Sequence, residues 1–247
     1  MIQDLHSHTY YSLCSADEPE KMIQNAIDSG IELLGICDHN YGISYITFEN
    51  YFNLGTRCNY GDSLYKYYHH IKLLKEKYAN QIKILCGLEI ATTNNGTYPS
   101  ILPDYVDVSF FDYCLVEHID IPSTITNGDI ISFAKRCKCP VGIAHTDLFT
   151  FIKNNNLNPL QYFQELAKND IFWELNVNYD STHAYREHPY VIEFFKNKEQ
   201  QEIIKQSGVK LSIGFDGHKY IEYDANRVKS ANEFVKSLGI KLAFDNE

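Results

Sequence analysis

The segment "MIQDLHSHTYYS" places His6 and His8 two residues apart, where a short apolar run gives out. In an extended strand residues i and i+2 face one side, so the two imidazoles project together. Paired neutral imidazoles can grip a divalent metal ion. The pairing of an apolar run with a terminal His or acid recurs along the chain. "IELLGICDH" ends in Asp38 and His39, "IKILCGLEI" carries Glu89, "DYCLVEH" ends in His118, "PVGIAH" in His145, and "VKLSIGFDGH" in Asp216 and His218. Imidazole and carboxylate are ligands of Zn, Mn and Fe. So many donors exceed the needs of one tetrahedral ion and suit two or three ions bridged by a carboxylate. Two closely spaced ions can hold both oxygens of an in-line displacement and turn a bridging water into the nucleophile. Neither a Ser nor a Cys nucleophile is then required. No GxSxG motif, P-loop or G-x-G-x-x-G after the first run is present.

Donors this far apart in sequence need a scaffold that gathers them. The apolar runs, with "IFWELNVN" as a further one, alternate with stretches of helical period. These include "EPEKMIQNAIDSG", "SLYKYYHHIKLLKEKYA", "GDIISFAKRC", "PLQYFQELAKN", "YVIEFFKNKEQQEIIKQSG" and "NRVKSANEFVKSLG". Strand followed by helix, about seven times, predicts a parallel sheet with crossover helices. An open sheet spreads its strand ends along a line. A barrel brings them into one ring at its C-terminal face. The ligand pattern therefore predicts a barrel.

The bulk properties bound the rest. Of the 247 residues, 44% are hydrophobic and 22% charged, as expected for a globular protein with a sizeable core. We expect one domain over residues 1–247. The formal net charge of −10 argues against long nucleic acid as a partner. It leaves small anionic substrates open, because bound metal reverses the sign of a pocket. The N-terminus reads as neither signal peptide nor membrane span, so a cytoplasmic protein without a membrane partner is expected. The seven cysteines are odd in number and scattered, and read as reduced thiols. The CxC formed by Cys137 and Cys139 reads as incidental.

The motifs "DLHSHT", "GICDHN", "GLEI", "EHID", "IAHTD" and "SIGFDGH", in that order from Asp4 to His218, resemble the PHP (polymerase and histidinol phosphatase) metallophosphoesterases. The resemblance implies an α/β fold, a distorted seven-stranded (β/α)7 barrel, TIM-like, with its metal site at the C-terminal ends of the strands. It implies two or three divalent ions (Zn, Mn or Fe). His6, His8, Glu89 and Asp216 would hold one. Glu89, His118 and His145 would hold a second. His39, His218 and Cys14 would hold a third, with Asp17 a rival to Cys14. Glu89, His145 and Asp216 would act as catalytic residues. Asp4 and Asp38 stand beside ligating histidines, either fixing their tautomers or capping strand ends.

"ELNVNYDSTHAYREHP" resembles the histidinol phosphatase branch. It suggests Arg186 as a grip for a terminal phosphate, against a surface ion pair with Glu187 or Glu193. The branch's other basic residue is missing near Thr150, and Lys153 comes later. The resemblance thus implies a metal-dependent phosphatase for a small phosphomonoester, histidinol-phosphatase-like. The alternative is a PHP phosphodiesterase or exonuclease acting on nucleotides or short oligonucleotides. Arg57, His183 and His188 are further candidates for the pocket wall, while His69 and His70 read as helix positions.

Overall fold

A computed structural model describes residues 1–44, 60–93, 101–121, 124, 126, 128–179 and 188–245. Seven parallel strands follow one another in chain order: β1 (Gln3–Ser7), β2 (Leu33–His39), β3 (Lys83–Ile90), β4 (Tyr113–Val116), β5 (Val141–Ile143), β6 (Ile171–Asn176) and β7 (Leu211–Gly214). Nearly every strand residue is buried, as continuous apolar runs covered on both faces require. The crossovers carry α1 (Pro19–Asp28), α2 (Tyr60–Lys77), α3 (Ile130–Cys137), α4 (Leu148–Asn154), α5 (Pro159–Lys168), α6 (Pro189–Lys196) and α7 (Lys198–Ser207). The helix α8 (Ala225–Ser237) follows β7 and packs on β1 and β7.

The last strand returns to the first, so the sheet is a nearly closed barrel. The seam is short. The Asp216 amide donates to the His6 carbonyl at 2.7 Å, and the His8 amide donates to Gly217 at 2.8 Å. Asp4 stitches the same seam from below: its Oδ1 accepts from the amides of Phe215 (3.0 Å) and His6 (3.1 Å). Asp4 therefore serves the backbone rather than an imidazole. Burial pushes its pKa up to about 6, against the lowering effect of those two hydrogen bonds.

The barrel interior is filled by two aromatic rings and closed at the bottom. Tyr113 and Phe172 pack with Leu5, Leu33, Leu85 and Leu115. Room for the rings comes from glycine: a Cβ on Gly35 or Gly87 would strike Tyr113, and one on Gly142 would strike Phe172. The Tyr113 hydroxyl donates to the Leu5 carbonyl at 2.5 Å. Below it the chain passes under the barrel, where the Ala243 amide donates to Leu211 at 2.7 Å and Phe244 lies 5.7 Å from the Tyr113 ring. A separate outer core joins sheet to helices around Trp173, whose Nε1 donates to the Thr146 carbonyl at 2.9 Å.

Two elements differ from the sequence reading. "YVIEFFKNKEQQEIIKQSG" is two helices rather than one, because Asn197 interrupts it and caps α7 through the amides of Glu199 and Gln200. Helix α4, unforeseen, starts directly after the His145 motif. Asp147 caps it, accepting from the amide (3.0 Å) and hydroxyl (2.7 Å) of Thr150. Thr150 is thus committed to the cap. Among the described residues no helix is long and apolar enough to cross a membrane.

Gly35→Ala should destabilise the barrel. Its Cβ would also lie 2.8 Å from the Leu5 Cα, which is backbone and cannot swing aside. A loss of about 1–3 kcal/mol in urea unfolding is expected. An unchanged midpoint would contradict this account of the interior.

Candidate metal centre

Every strand but β6 delivers an imidazole or a carboxylate at or just beyond its C-terminal end, and β6 delivers the carboxylate behind them. His6 lies on β1, in the stretch where its register with β2 shifts, and His8 lies one residue past the strand. Such an irregularity re-aims side chains next to functional sites. The Nε2 atoms of His6 and His8 come within 3.1 Å of each other. Glu89, fully buried on β3, sits between four imidazoles. Its Oε1 is 3.0 Å from His145 Nε2 and 3.3 Å from His6 Nε2. Its Oε2 is 2.8 Å from His39 Nδ1 and 3.3 Å from His8 Nε2. Asp216 Oδ1 closes the other side, 3.0 Å from His8 Nε2.

The backbone contributes too. His118 (φ 57°), His145 (φ 20°) and Asp216 (φ 55°) all have positive φ. Non-glycine residues held there cost of order 1–3 kcal/mol each and gather at functional sites.

Three imidazoles have their tautomer set by the hydrogen bond on Nδ1. His6 Nδ1 donates to Glu174 Oε1 at 2.8 Å. His218 Nδ1 donates to the Asp216 carbonyl at 2.9 Å. For His8 the partner is Ser12 Oγ at 2.9 Å, and Ser12 in turn donates to Asp38 Oδ1 at 2.7 Å. Asp38 therefore acts on His8 through a hydroxyl, while also accepting from the Thr9 amide and hydroxyl at 2.7 Å each. Each arrangement ties up Nδ1 and leaves Nε2 as the nitrogen that can bind a cation once any proton on it is given up.

Glu174, Ser12 and Glu117 were not singled out by the sequence reading. Glu174 is an acid inside an otherwise apolar strand, and that is a signal in itself. Gly214 keeps its place open, since a Cβ there would run into Glu174 Oε1 and the His6 side chain. Glu174 Oε2 also accepts from the His145 amide at 2.7 Å. Glu117, buried beside His118, places Oε2 3.2 Å from His118 Nε2.

The ligand atoms converge in three groups: His6, His8 and Asp216; His8, Cys14, His39 and His218; and His39, Glu89 and Glu117. The first group holds three of the four residues that the resemblance assigns to one ion, and the second holds Cys14, His39 and His218 together with His8; His118 and His145 fall in no group, and Glu89 converges instead with His39 and Glu117. Cys14 lies in the group with His39 and His218. Asp17 turns away, accepting from the Tyr220 amide at 2.9 Å. His188 is buried and stacks on His145 at 5.2 Å. His70 bonds Tyr11, and His69 stacks on Tyr65, both on α2. Arg186, Arg57 and His183 lie outside the described residues.

The electrostatics of the cluster are those of a site for cations. Burial opposes charge on Glu89, yet His39, His6 and His145 hold its pKa well below the usual carboxylate value. Asp216 is likewise lowered against burial by His6 and His218. Burial disfavours charged His218 as well, but Asp216 and Cys14 raise it to about 9. Burial, helped by His218 and His39, drives His8 the other way, to about 3. Cys14 is lowered by His218 and His39 against burial. His39 Nδ1 and Glu89 Oε2 are buried and adjacent but not aligned as a hydrogen bond, as donors directed at a shared cation would be. Imidazole, carboxylate and one thiol make a donor set that fits Zn, Mn or Fe.

A parallel barrel with imidazoles and carboxylates clustered at its C-terminal mouth defines the class of protein. The chain belongs to the PHP domain family, whose profile matches residues 4–236. A comparison with curated proteins gives no match. Among solved structures the chain is similar to histidinol phosphate phosphatase from Lactococcus lactis, complexed with zinc, L-histidinol and phosphate. Identity is 17%, the TM-score is 0.62, and 98% of this chain and 95% of that one are covered. It is also similar to the metal-dependent tyrosine phosphatases described as YwqE from Bacillus subtilis and CpsB from Streptococcus pneumoniae. Identity there is 13% and the TM-score 0.47, with 94% of this chain and 86% of that chain covered.

Two outcomes follow. Glu174→Gln replaces one of two acceptor oxygens with a donor facing His6 Nδ1 or the His145 amide. Metal affinity should fall roughly 10–100-fold with the fold intact by circular dichroism. Unchanged affinity would mean that Glu174 does not orient these ligands. Metal uptake should also release protons and tighten as pH rises from 7 towards 9, because His218 must give up a proton held to about 9. Calorimetry in buffers of different ionisation enthalpy checks this, and pH-independent uptake without proton release would contradict it.

Proposed function

We propose that the protein is a metal-dependent phosphoesterase that hydrolyses a small phosphomonoester, resembling histidinol phosphatase in its reaction. The observation that carries this reading is the meeting of His6, His8, His39 and His145 around the buried carboxylate of Glu89 at the barrel mouth, with Asp216 beside His8. Membership of the PHP family and a barrel similar to the Lactococcus lactis phosphatase support it.

In this reading His6, His8, Glu89 and Asp216 would hold one ion, and Glu89, His118 and His145 a second, with Glu117 beside them. Cys14, His39 and His218 would hold a third. Metal bound there would supply Lewis acidity towards phosphate oxygens and a water of lowered pKa. The protein's own groups do the positioning. Glu89 reaches neighbouring positions with its two oxygens. Glu174 keeps the proton of His6 on Nδ1, so that Nε2 remains a donor of electrons. Ser12 does the same for His8. His188, stacked on His145, walls the mouth and keeps water off that ring. Arg186 is proposed to bind the non-bridging oxygens of a terminal phosphate. A surface with net charge −10 disfavours a long polyanion.

The test is turnover by the metal-reconstituted protein of p-nitrophenyl phosphate, histidinol phosphate, bis-p-nitrophenyl phosphate and a nucleoside bisphosphate. Monoesters should be preferred, and Arg186→Ala should weaken monoester turnover by roughly 1.5–3 kcal/mol with unchanged metal content. Diester turnover should suffer less. Faster hydrolysis of the diester than of any monoester, or equal losses on both, would replace this reading with a diesterase. No hydrolysis of any ester by the loaded protein would remove both.

A further inference from the structure

Away from the mouth, three cysteines meet between the sheet and α3. Cys114 lies on β4 and points into the outer core, while its neighbours Tyr113 and Leu115 fill the barrel interior. Cys137 ends α3, and Cys139 follows two residues on, just before β5. The backbone brings them together. Lys138 has a left-handed conformation (φ 56°) that turns the chain sharply after the helix, and the Cys114 amide donates to Pro140 at 2.9 Å. The sulfurs of Cys114 and Cys139 are 3.5 Å apart. Cys114 and Cys137 are buried, whereas Cys139 is only partly covered. No metal group of the barrel mouth includes any of the three.

We propose that Cys114 and Cys139 are a reversible oxidation site, forming an intramolecular disulfide when the protein meets a peroxide. The pair has one partly exposed cysteine to be oxidised and one buried cysteine whose sulfur is in contact with it to resolve the product. Peroxide first transfers an oxygen to Cys139: an S–O bond forms, the O–O bond breaks, and one water leaves. The Cys114 sulfur then attacks the Cys139 sulfur. The S–S bond forms, the S–O bond breaks, and the departing hydroxide takes the Cys114 proton to become a second water. Two thiols are oxidised and one peroxide is reduced. Closing the sulfurs from 3.5 Å to the length of a disulfide, about 2.05 Å, asks for a small shift on the partly exposed Cys139 side.

The bridge would join positions 25 residues apart and so tie the start of β4 to the start of β5. The strand ends that carry Glu117, His118 and His145 would be held at one fixed spacing from below. This inference is independent of the substrate proposed above.

The purified full chain is treated with a few equivalents of hydrogen peroxide, alkylated under denaturing conditions and mapped by peptide mass spectrometry. A Cys114–Cys139 cross-linked peptide that disappears with dithiothreitol is expected. The oxidised protein should melt at a higher temperature than the reduced one. Cys139→Ser should abolish the cross-link, and Cys114→Ser should leave a sulfenic acid on Cys139 that dimedone captures. Cys139 carried on to sulfinic acid while Cys114 is still alkylated would overturn the proposal. So would a bridge that uses Cys14, Cys58 or Cys137 instead, or no oxidation at any of the three. Should Cys114→Ser fail to fold, the Cys139→Ser map and the wild-type cross-link decide the matter alone.

Discussion

A fully buried carboxylate cannot remain ionised without compensation, and Glu89 is such a group. Four imidazoles from the β1, β2 and β5 ends surround its two oxygens, and no bulk water reaches them. The desolvation of one negative charge in the barrel mouth explains the rest of the arrangement. It explains why the histidines must come from different strands, since one element cannot place four rings around one group. It explains why those histidines need their own partners behind them, in Glu174, in Ser12 with Asp38, and in the Asp216 carbonyl. A ring free to turn would leave Glu89 facing the wrong nitrogen. The barrel is the device that brings separated segments to this one point, and its interior rings and glycines set its diameter.

The positions that a reader of the sequence can recognise are those with chemistry at a strand terminus. His6, His8, His39, Glu89, His118, His145, Asp216 and His218 each follow an apolar run, so local pattern alone gathers them. The order and spacing of the motifs, from "DLHSHT" to "SIGFDGH", then identify the family. What lies one layer behind is harder to read. Glu174 is in mid-strand, and its inward direction follows from the barrel's pleat rather than from its neighbours. Ser12 is one of many serines and acquires its role only when the loop after His8 folds over Asp38. Glu117 precedes a histidine and is overshadowed by it.

Choices between near neighbours also required three dimensions. Cys14 and Asp17 stand in one loop, and only its path decides that the thiol meets His39 and His218 while the carboxylate binds the Tyr220 amide. Asp4 and Asp38 look equivalent in sequence, each beside a ligating histidine. Asp4 is absorbed by the amides of the seam, and Asp38 by a hydroxyl relay to His8. The helix break at Asn197 is of the same kind: the apolar period continues through it, and the capping side chain, not the period, ends the helix.

The seam between first and last strands rests on few backbone bonds, and the donors crowd on both sides of it. His6 and His8 stand on one lip, Asp216 and His218 on the other. An ion shared across these lips would be a rivet in an otherwise loosely buttoned hoop. Parting the lips and releasing the ion then become one event, governed by one equilibrium. Hydrogen exchange at the amides of His8 and Asp216, which close the seam, would then report the residence time of a cation that neither amide touches.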